Sequence, residues 1–313
     1  MGAAAQLPVG DGRSMKIGYN GSVADSEDVR ISVFDHGFLY GMGLFETFRT
    51  YGGEPYLLER HLRRLEDGCA RLQISYRAEP DRIRRLVRDV MAAAAIDGDA
   101  YVRMTVSAGD EGLGLPAGPY ASPSEIVMVK NLPPATPELH VRGRELRLLG
   151  TPRNTPELGI RMKSLHYMNS IAAKQELMAS GASAGSEGLM LTAEGWLAEG
   201  IVSNLFFVSG GIVRTPSLET GILPGITRGR VMELAREAGM PVEEGLYRWE
   251  DLLEADEVWT TGSVQELVPA TALADGSGKL AHPRAGAAAG PICSKLLGLY
   301  RADARSGWRI DRS

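Results

Sequence analysis

The segment Ile160-Arg161-Met162-Lys163-Ser164-Leu165-His166-Tyr167-Met168-Asn169-Ser170 carries the lysine on which the reading of this chain turns. Downstream come Ala198-Glu199-Gly200, Ser203-Asn204-Leu205-Phe206 and Gly221-Ile222-Leu223-Pro224-Gly225-Ile226-Thr227-Arg228. A single lysine between apolar residues is usually a solvated side chain. A lysine that works as a nucleophile or base needs a neutral amine near pH 7, which burial and a nearby cation provide. Arg161 is a candidate for that cation, although alternation can equally place it on the opposite face.

Each partner of Lys163 also has a plain reading and a chemical one. Glu199 is a turn residue after Leu197, or a buried carboxylate that holds a pyridine nitrogen protonated. Gly225-Ile226-Thr227 is an ordinary helix N-cap, or a set of free amides and a hydroxyl that bind phosphate. Thr261-Gly262-Ser263-Val264 offers a second backbone cup of the same kind. Arg64, one turn beyond His61, is a surface arginine or a donor of charge-assisted hydrogen bonds to phosphate. Lysine, carboxylate and phosphate cup in this order are what pyridoxal 5'-phosphate requires, with Lys163 forming the Schiff base.

The rest of the composition narrows the field. The 313 residues suit two compact domains better than one, and 44% hydrophobic with 23% charged residues is ordinary for a globular protein. A net charge of −5 argues against a nucleic-acid surface. Arg82-Ile83-Arg84-Arg85-Leu86-Val87-Arg88 reads as the wet face of an amphipathic helix. Cys69 and Cys293 lack metal-ligand spacing and read as buried thiols in a reducing compartment. No stretch is apolar enough to span a membrane, and residues 1–14 read as a disordered extension without signal-peptide character. A cytoplasmic location is expected. Walker, dinucleotide, nucleophile-elbow and metal-histidine motifs are absent, so no metal site is expected.

Along the chain, strands are expected at Met15–Tyr19, ending in the Asn20-Gly21 turn, at Val29–Val33 and at Leu44–Thr50. Helices follow at Leu58–Leu72 and from Pro80 to about Ala95, then strands at Ala100–Ser107 and Ser124–Lys130 around a glycine-rich loop. Three prolines within Asn131–Pro137 mark a linker. The domains are therefore placed at 15–130 and 139–305, with 131–138 between them. The second is expected to hold strands near Glu145–Leu149, Gly188–Leu191, Asn204–Ser209, Gly211–Arg214 and Asp256–Thr260. Its helices are expected at Tyr167–Ala179, Thr227–Ala238 and Gly290–Arg301, with an exposed loop at Ala281–Gly290.

Together with Phe34-Asp35-His36-Gly37-Phe38-Leu39-Tyr40-Gly41, Phe45-Glu46-Thr47-Phe48-Arg49, His61-Leu62-Arg63-Arg64-Leu65 and Ser263-Val264-Gln265-Glu266, these motifs resemble the class-IV aminotransferase superfamily, the fold-type IV pyridoxal phosphate enzymes. The likeness covers about Ile17 to Asp275. It implies a small α/β N-terminal domain, a larger α/β pseudo-barrel C-terminal domain, the cofactor in the cleft between them, and a homodimer. It also implies that Lys163 carries the cofactor and Glu199 partners its pyridine nitrogen. Arg64, Thr227, Ser263 and the Ile226 amide would bind the phosphate, and Tyr167 would support the phenolic oxygen. Tyr167 follows the lysine by one residue fewer than the branched-chain pattern has. Tyr40, Arg103 and Val264 are the residues implied on the substrate side.

Within the superfamily, Arg153-Asn154-Thr155-Pro156-Glu157 and Thr215-Pro216-Ser217-Leu218-Glu219-Thr220-Gly221 look most like Gram-positive aminodeoxychorismate lyases. Those enzymes release pyruvate from aminodeoxychorismate to give 4-aminobenzoate for folate. Lys163-Ser164-Leu165 with Ala173-Lys174-Gln175-Glu176 is similar to D-amino acid aminotransferases, and Tyr101-Val102-Arg103 to branched-chain aminotransferases. The lyase is the leading expectation. The alternatives are 2-oxoglutarate-dependent transamination of branched-chain L- or D-amino acids, and a non-catalytic binder built on the same fold.

Overall fold

The computed structural model describes residues 15–116, 118–132, 137–281, 283, 286 and 288–306. The expected N-terminal extension and the heart of the proline linker lie outside these residues. The chain divides into two compact units, one drawn from Met1–Pro133 and Lys163–Leu165, the other from Pro134–Met162 and His166–Ser313.

The first unit is an antiparallel sheet backed by helices. Strands β1 (Lys16–Tyr19) and β2 (Ser22–Asp25) form a hairpin across Asn20-Gly21, whose φ values of 46° and 83° explain the Asn-Gly pair. Helix α1 (His36–Tyr40), strands β3 (Gly43–Tyr51) and β4 (Glu54–Pro55), and helices α2 (Leu58–Arg71) and α3 (Pro80–Ala93) follow. Strands β5 (Ala100–Ser107) and β6 (Ser124–Asn131) complete a sheet of order β2-β1-β6-β5-β3-β4. Leu58, Leu62, Leu65 and Cys69 form the inner face of α2, as their spacing requires, and Ile83, Leu86, Val87 and Val90 that of α3. Gly68 lets α2 approach β3 closely, since a Cβ there would lie 2.5 Å from Leu44 Cδ1. Lys163–Leu165 belongs to this unit because it pairs with β3. Lys163 O accepts from Phe45 N at 2.9 Å, and Gly43 O from Leu165 N at 3.0 Å.

The second unit begins with helix α4 (Pro137–Arg142), strand β7 (Arg144–Leu148), helix α5 (Met168–Ala179) and strands β8 (Glu187–Leu191) and β9 (Leu197–Gly200). Strands β10 (Asn204–Ser209) and β11 (Ile212–Pro216), a 3-10 turn at Leu218–Thr220, helix α6 (Ile226–Glu237) and strand β12 (Val242–Gly245) come next. Helix α7 (Trp249–Leu253), strands β13 (Glu257–Gly262), β14 (Glu266–Ala274) and β15 (Leu280–Ala281), and helix α8 (Pro291–Arg305) finish it. The mixed sheet runs β12-β11-β10-β13-β14-β7-β8-β9, with β15 on β14. At the far end of that order, β9 packs back against β10 and β11, so the sheet curls into a half-barrel. Its core includes Leu146, Leu189, Leu197, Leu205, Phe207, Leu252 and Leu273.

One expectation needs correction, and one long strand was not expected. Val29–Val33 is not a strand: β2 takes the place beside β1, and Ile31 and Val33 are exposed. β14, unforeseen, carries Pro269 inside a central strand, where the register also shifts between Ala270 and Ala272. The expected loop at 281–290 is described only in part, and Ala281 pairs within β15.

Candidate active site

In the first unit, β3 sends Phe45 and Glu46 to opposite faces. Glu46 is buried, and α2 supplies its partners from one helical face, His61 and Arg64. Arg64 Nε donates to Glu46 Oε1 at 2.8 Å and Arg64 Nη2 to Oε2 at 2.6 Å, a bidentate fork. His61 Nδ1 lies 2.6 Å from Oε2. A carboxylate can only accept, so Nδ1 carries the proton. Burial pushes the Glu46 carboxyl up, but Arg64 and His61 together outweigh it and bring it down to about 2. Burial depresses His61 despite the pull of Glu46, with the charges of Arg64 and Lys163 acting in the same sense, so the imidazole is neutral. On the other face, Lys163 Nζ stands 4.5 Å and Arg103 Cζ 3.7 Å from the centroid of the Phe45 ring. Tyr40, at the end of α1, packs edge-on against His36 and accepts from Gly114 N at 3.1 Å.

The second unit builds its site around Glu199 on β9, which is 4% exposed. Its Oε1 accepts from Arg153 through Nε and Nη2, both at 2.8 Å, and Arg161 Nε stands 3.8 Å away. Its Oε2 accepts from Asn204 Nδ2 and Leu223 N, each at 3.1 Å. Asn169 holds Arg153 in turn, its Oδ1 accepting from Nη1 at 2.8 Å. Burial raises the Glu199 carboxyl against the pull of both arginines and the Leu223 amide. Burial and the neighbouring Arg153 depress Arg161 to about 10. Arg161 thus lies beside Glu199.

Asn204 also donates to Leu223 O at 2.9 Å, tying Glu199 to the turn that leads into α6. That turn ends at Gly225, the N-cap of α6, where no side chain caps the helix. A Cβ at Gly225 would lie 1.9 Å from Asn204 Oδ1, so only glycine fits the passage. The first amides of α6, those of Ile226 and Thr227, have no intrahelical partners. Thr227 Oγ1 lies 3.2 Å from Ser263 Oγ in the β13–β14 turn, which also carries Val264. Tyr167 sits at the N-cap of α5.

Each unit thus gathers part of the expected set: Lys163, Arg64 and Arg103 in the first, Glu199, Ile226, Thr227 and Ser263 in the second. Glu46, Asn204 and Arg153 were visible only inside quoted motifs, and Tyr300, whose hydroxyl is 3.4 Å from Thr227 Oγ1, was not singled out. A carboxylate on the β3 face that also carries Leu44 and Phe48 was the available signal for Glu46. The donor set fits a phosphorylated pyridine cofactor. The buried hydroxyl of Thr261 has no hydrogen-bond partner among the described residues. Thr261 sits opposite Asn204 in the β10–β13 register, adjoining the Gly262-Ser263 turn.

Residues 43–273 match the Amino-transferase class IV family. Aminodeoxychorismate lyase of Bacillus subtilis is 40% identical over 288 residues, covering 92% of this chain and 94% of the relative. The crystal structure of 4-amino-4-deoxychorismate lyase from Pseudomonas aeruginosa superposes with a TM-score of 0.77 at 30% identity, covering 92% of this chain and 98% of that one. The T.th. branched-chain amino acid aminotransferase with pyridoxamine 5'-phosphate gives 0.81 at 26% identity, with 95% and 96% covered.

Proposed function

Because the chain belongs to the class IV aminotransferase family, we propose that it is a pyridoxal 5'-phosphate-dependent aminodeoxychorismate lyase, releasing pyruvate to give 4-aminobenzoate. The 40% identity to the Bacillus subtilis lyase over nearly the whole chain carries the choice of reaction. What supports the cofactor is the buried Glu199 clamp beside an uncapped helix N-terminus.

The bound cofactor supplies an electron sink for the carbon attached to the substrate nitrogen. Glu199, held by Arg153 and Asn204, keeps the pyridine nitrogen protonated. Arg64, its guanidinium fixed on Glu46, and the Ile226 amide, Thr227 and Ser263 bind the phosphate. Tyr167 supports the phenolic oxygen. Lys163 would hold the cofactor through Nζ, and its free amine would take the proton from the carbon bearing nitrogen. Expulsion of enolpyruvate then aromatises the ring. Tyr40, Arg103 and Val264 contact the substrate.

The reading extends to a cytoplasmic homodimer serving folate synthesis, with domains at 15–130 and 139–305 joined by 131–138. Val33, Phe34, Phe38, Leu113 and Leu115 of the first unit are exposed apolar side chains of the kind a second copy would cover. No helix among the described residues is long and apolar enough to cross a membrane.

Transamination is the second reading, favoured by the TM-score of 0.81 to the branched-chain enzyme. A paired assay on one preparation separates the two. One arm follows 4-aminobenzoate and pyruvate from aminodeoxychorismate. The other follows 2-oxoglutarate-dependent transamination of leucine and D-alanine. Turnover confined to the second arm would sink the lyase.

A further inference from the structure

Helix α8, at Pro291–Arg305, lies outside residues 43–273, which match the family. Even so, it is bound to both halves of the cup formed by the α6 N-terminus and the β13–β14 turn. We propose that α8 is the strut that sets the geometry of this cup, with Tyr300 and Arg301 as positioning residues for phosphate recognition. The inference rests on the cofactor reading above.

Four contacts carry it. At its start, α8 is held by Glu257 of β13, which accepts from the amides of Ile292 at 2.9 Å and Cys293 at 2.8 Å. A buried carboxylate there satisfies orphan donors and complements the helix dipole. One turn from its end, Arg301 donates to Oε2 of Glu266 through Nε at 2.7 Å and Nη2 at 2.5 Å. Glu266 is 2% exposed and has φ 63°, a left-handed conformation rare for a residue with a side chain. It opens β14 immediately after Ser263-Val264-Gln265, so the Arg301 contact fixes the residue that shapes the Ser263 turn.

The α6 half is held by the next-door side chain. Tyr300, 1% exposed, places its hydroxyl 3.4 Å from Thr227 Oγ1, whose other contact is Ser263 Oγ at 3.2 Å. Further along α6, Arg230 forks onto Asp303 with two bonds of 3.0 Å. Consecutive residues of α8 therefore grip the two cup elements separately, Tyr300 through α6 and Arg301 through the hairpin. Tyr300 acts through Thr227, and Arg301 through Glu266 and the Ser263 turn.

The test compares apo protein binding of pyridoxal 5'-phosphate with binding of pyridoxal, which lacks the phosphate, in wild type, Tyr300→Phe, Arg301→Gln and Arg301→Lys. Tyr300→Phe keeps the buried ring and removes only the hydroxyl. Loss of one or two positioning bonds is expected to weaken the phosphorylated ligand about 3- to 10-fold, with Arg301→Lys intermediate. Pyridoxal affinity should stay near wild type in every variant, so the ratio of the two affinities falls; the apo unfolding temperature should hold in Tyr300→Phe and drop in Arg301→Gln, which leaves buried Glu266 without its cation. A parallel loss of both ligands marks general damage and overturns the proposal, as does an unchanged ratio. If wild type takes up neither ligand, the cofactor reading itself fails. If wild type binds both equally, the cofactor reading survives while the phosphate cup and its strut are overturned.

Discussion

Arg153→Met puts the Glu199 clamp to its sharpest test. The substitution keeps an unbranched side chain of similar reach, but removes the guanidinium whose Nε and Nη2 both bond Oε1. Glu199, 4% exposed, would then hold a charge with little left to compensate it. A buried carboxylate in that position takes up a proton rather than remain ionised. Holding it protonated at pH 7, against an ordinary value of 4.5 in the unfolded chain, costs about 3 kcal/mol. Arg161 stays 3.8 Å from the same oxygen and retains part of the compensation, so this is a ceiling. For a unit of this size the loss lowers the unfolding temperature by about 6–12 °C.

The pH dependence has a definite sign. Burial already raises the Glu199 carboxyl in wild type and loss of Arg153 raises it further, so the added penalty is absent below the unfolded value and grows as pH rises. The deficit relative to wild type should be at most about 3 kcal/mol at pH 7 and below about 1 kcal/mol at pH 5. Thermal unfolding of the apo protein from pH 5 to 8 measures it. Adding Glu199→Gln to Arg153→Met removes the uncompensated charge and should restore most of the stability, although not the activity. A deficit independent of pH, or a double variant no more stable than the single one, would refute the clamp.

Three further outcomes follow from the same geometry. Glu46→Gln should destabilise the first unit by about 3 kcal/mol at neutral pH, because it strips Arg64 and His61 of a buried partner. Since the Glu46 carboxyl is depressed to about 2, its contribution is complete above 4.5 and fades as pH falls towards 2, so the variant's acid unfolding profile should be flatter there. Gly225→Ala would drive a Cβ into Asn204 Oδ1, and cofactor retention on gel filtration should fall while the overall fold, read by circular dichroism, persists. Lys163→Ala should abolish both turnover and the visible absorbance of lysine-bound cofactor, and a variant that still turns over would displace Lys163 from its role.

Much of this architecture was legible where one face of an element is buried and the other is wet. The apolar stripe of α2 and the Asn20-Gly21 hairpin are of that kind, because helix and turn geometry act over a few neighbouring residues. β9 and β14 were not, since both are buried on nearly every residue and show no period. Pro269 argued against a strand locally, and pairing with β13 and β7 overrode it. Val29–Val33 failed for the opposite reason: its alternation is genuine, but β2 already occupies the neighbouring edge of β1. Motifs located Lys163, Glu199 and Thr227, whereas Arg153 and Tyr300 became functional candidates only through contacts between residues distant in the chain.

The two buried carboxylates show what chain order could not reveal. Glu46 and Glu199 are equally inaccessible, and each faces arginine, yet their proton affinities move in opposite directions. Glu46 receives a two-point fork from Arg64 with both oxygens engaged, plus a neutral imidazole donor. Its charge is locked, which suits a residue whose task is to orient Arg64. At Glu199 the arginine contacts fall on Oε1, while Oε2 is met by neutral donors from Asn204 and Leu223. Burial wins there, and the carboxyl is raised. Arg153 opposes that rise without overcoming it, which leaves the carboxyl ready to share a proton with a basic ring nitrogen, the balance a pyridine partner needs. Converting one environment to the other should therefore exchange the roles: an added donor on Oε2 of Glu199 that carries positive charge would lower its proton affinity and weaken its hold on a protonated ring. Asn204→Lys, which puts an ammonium in place of the neutral amide that meets Oε2 at 3.1 Å, is the substitution that tests it. Slower turnover with cofactor still bound is the expected result, and unchanged turnover would show that the proton affinity of Glu199 does not limit the reaction.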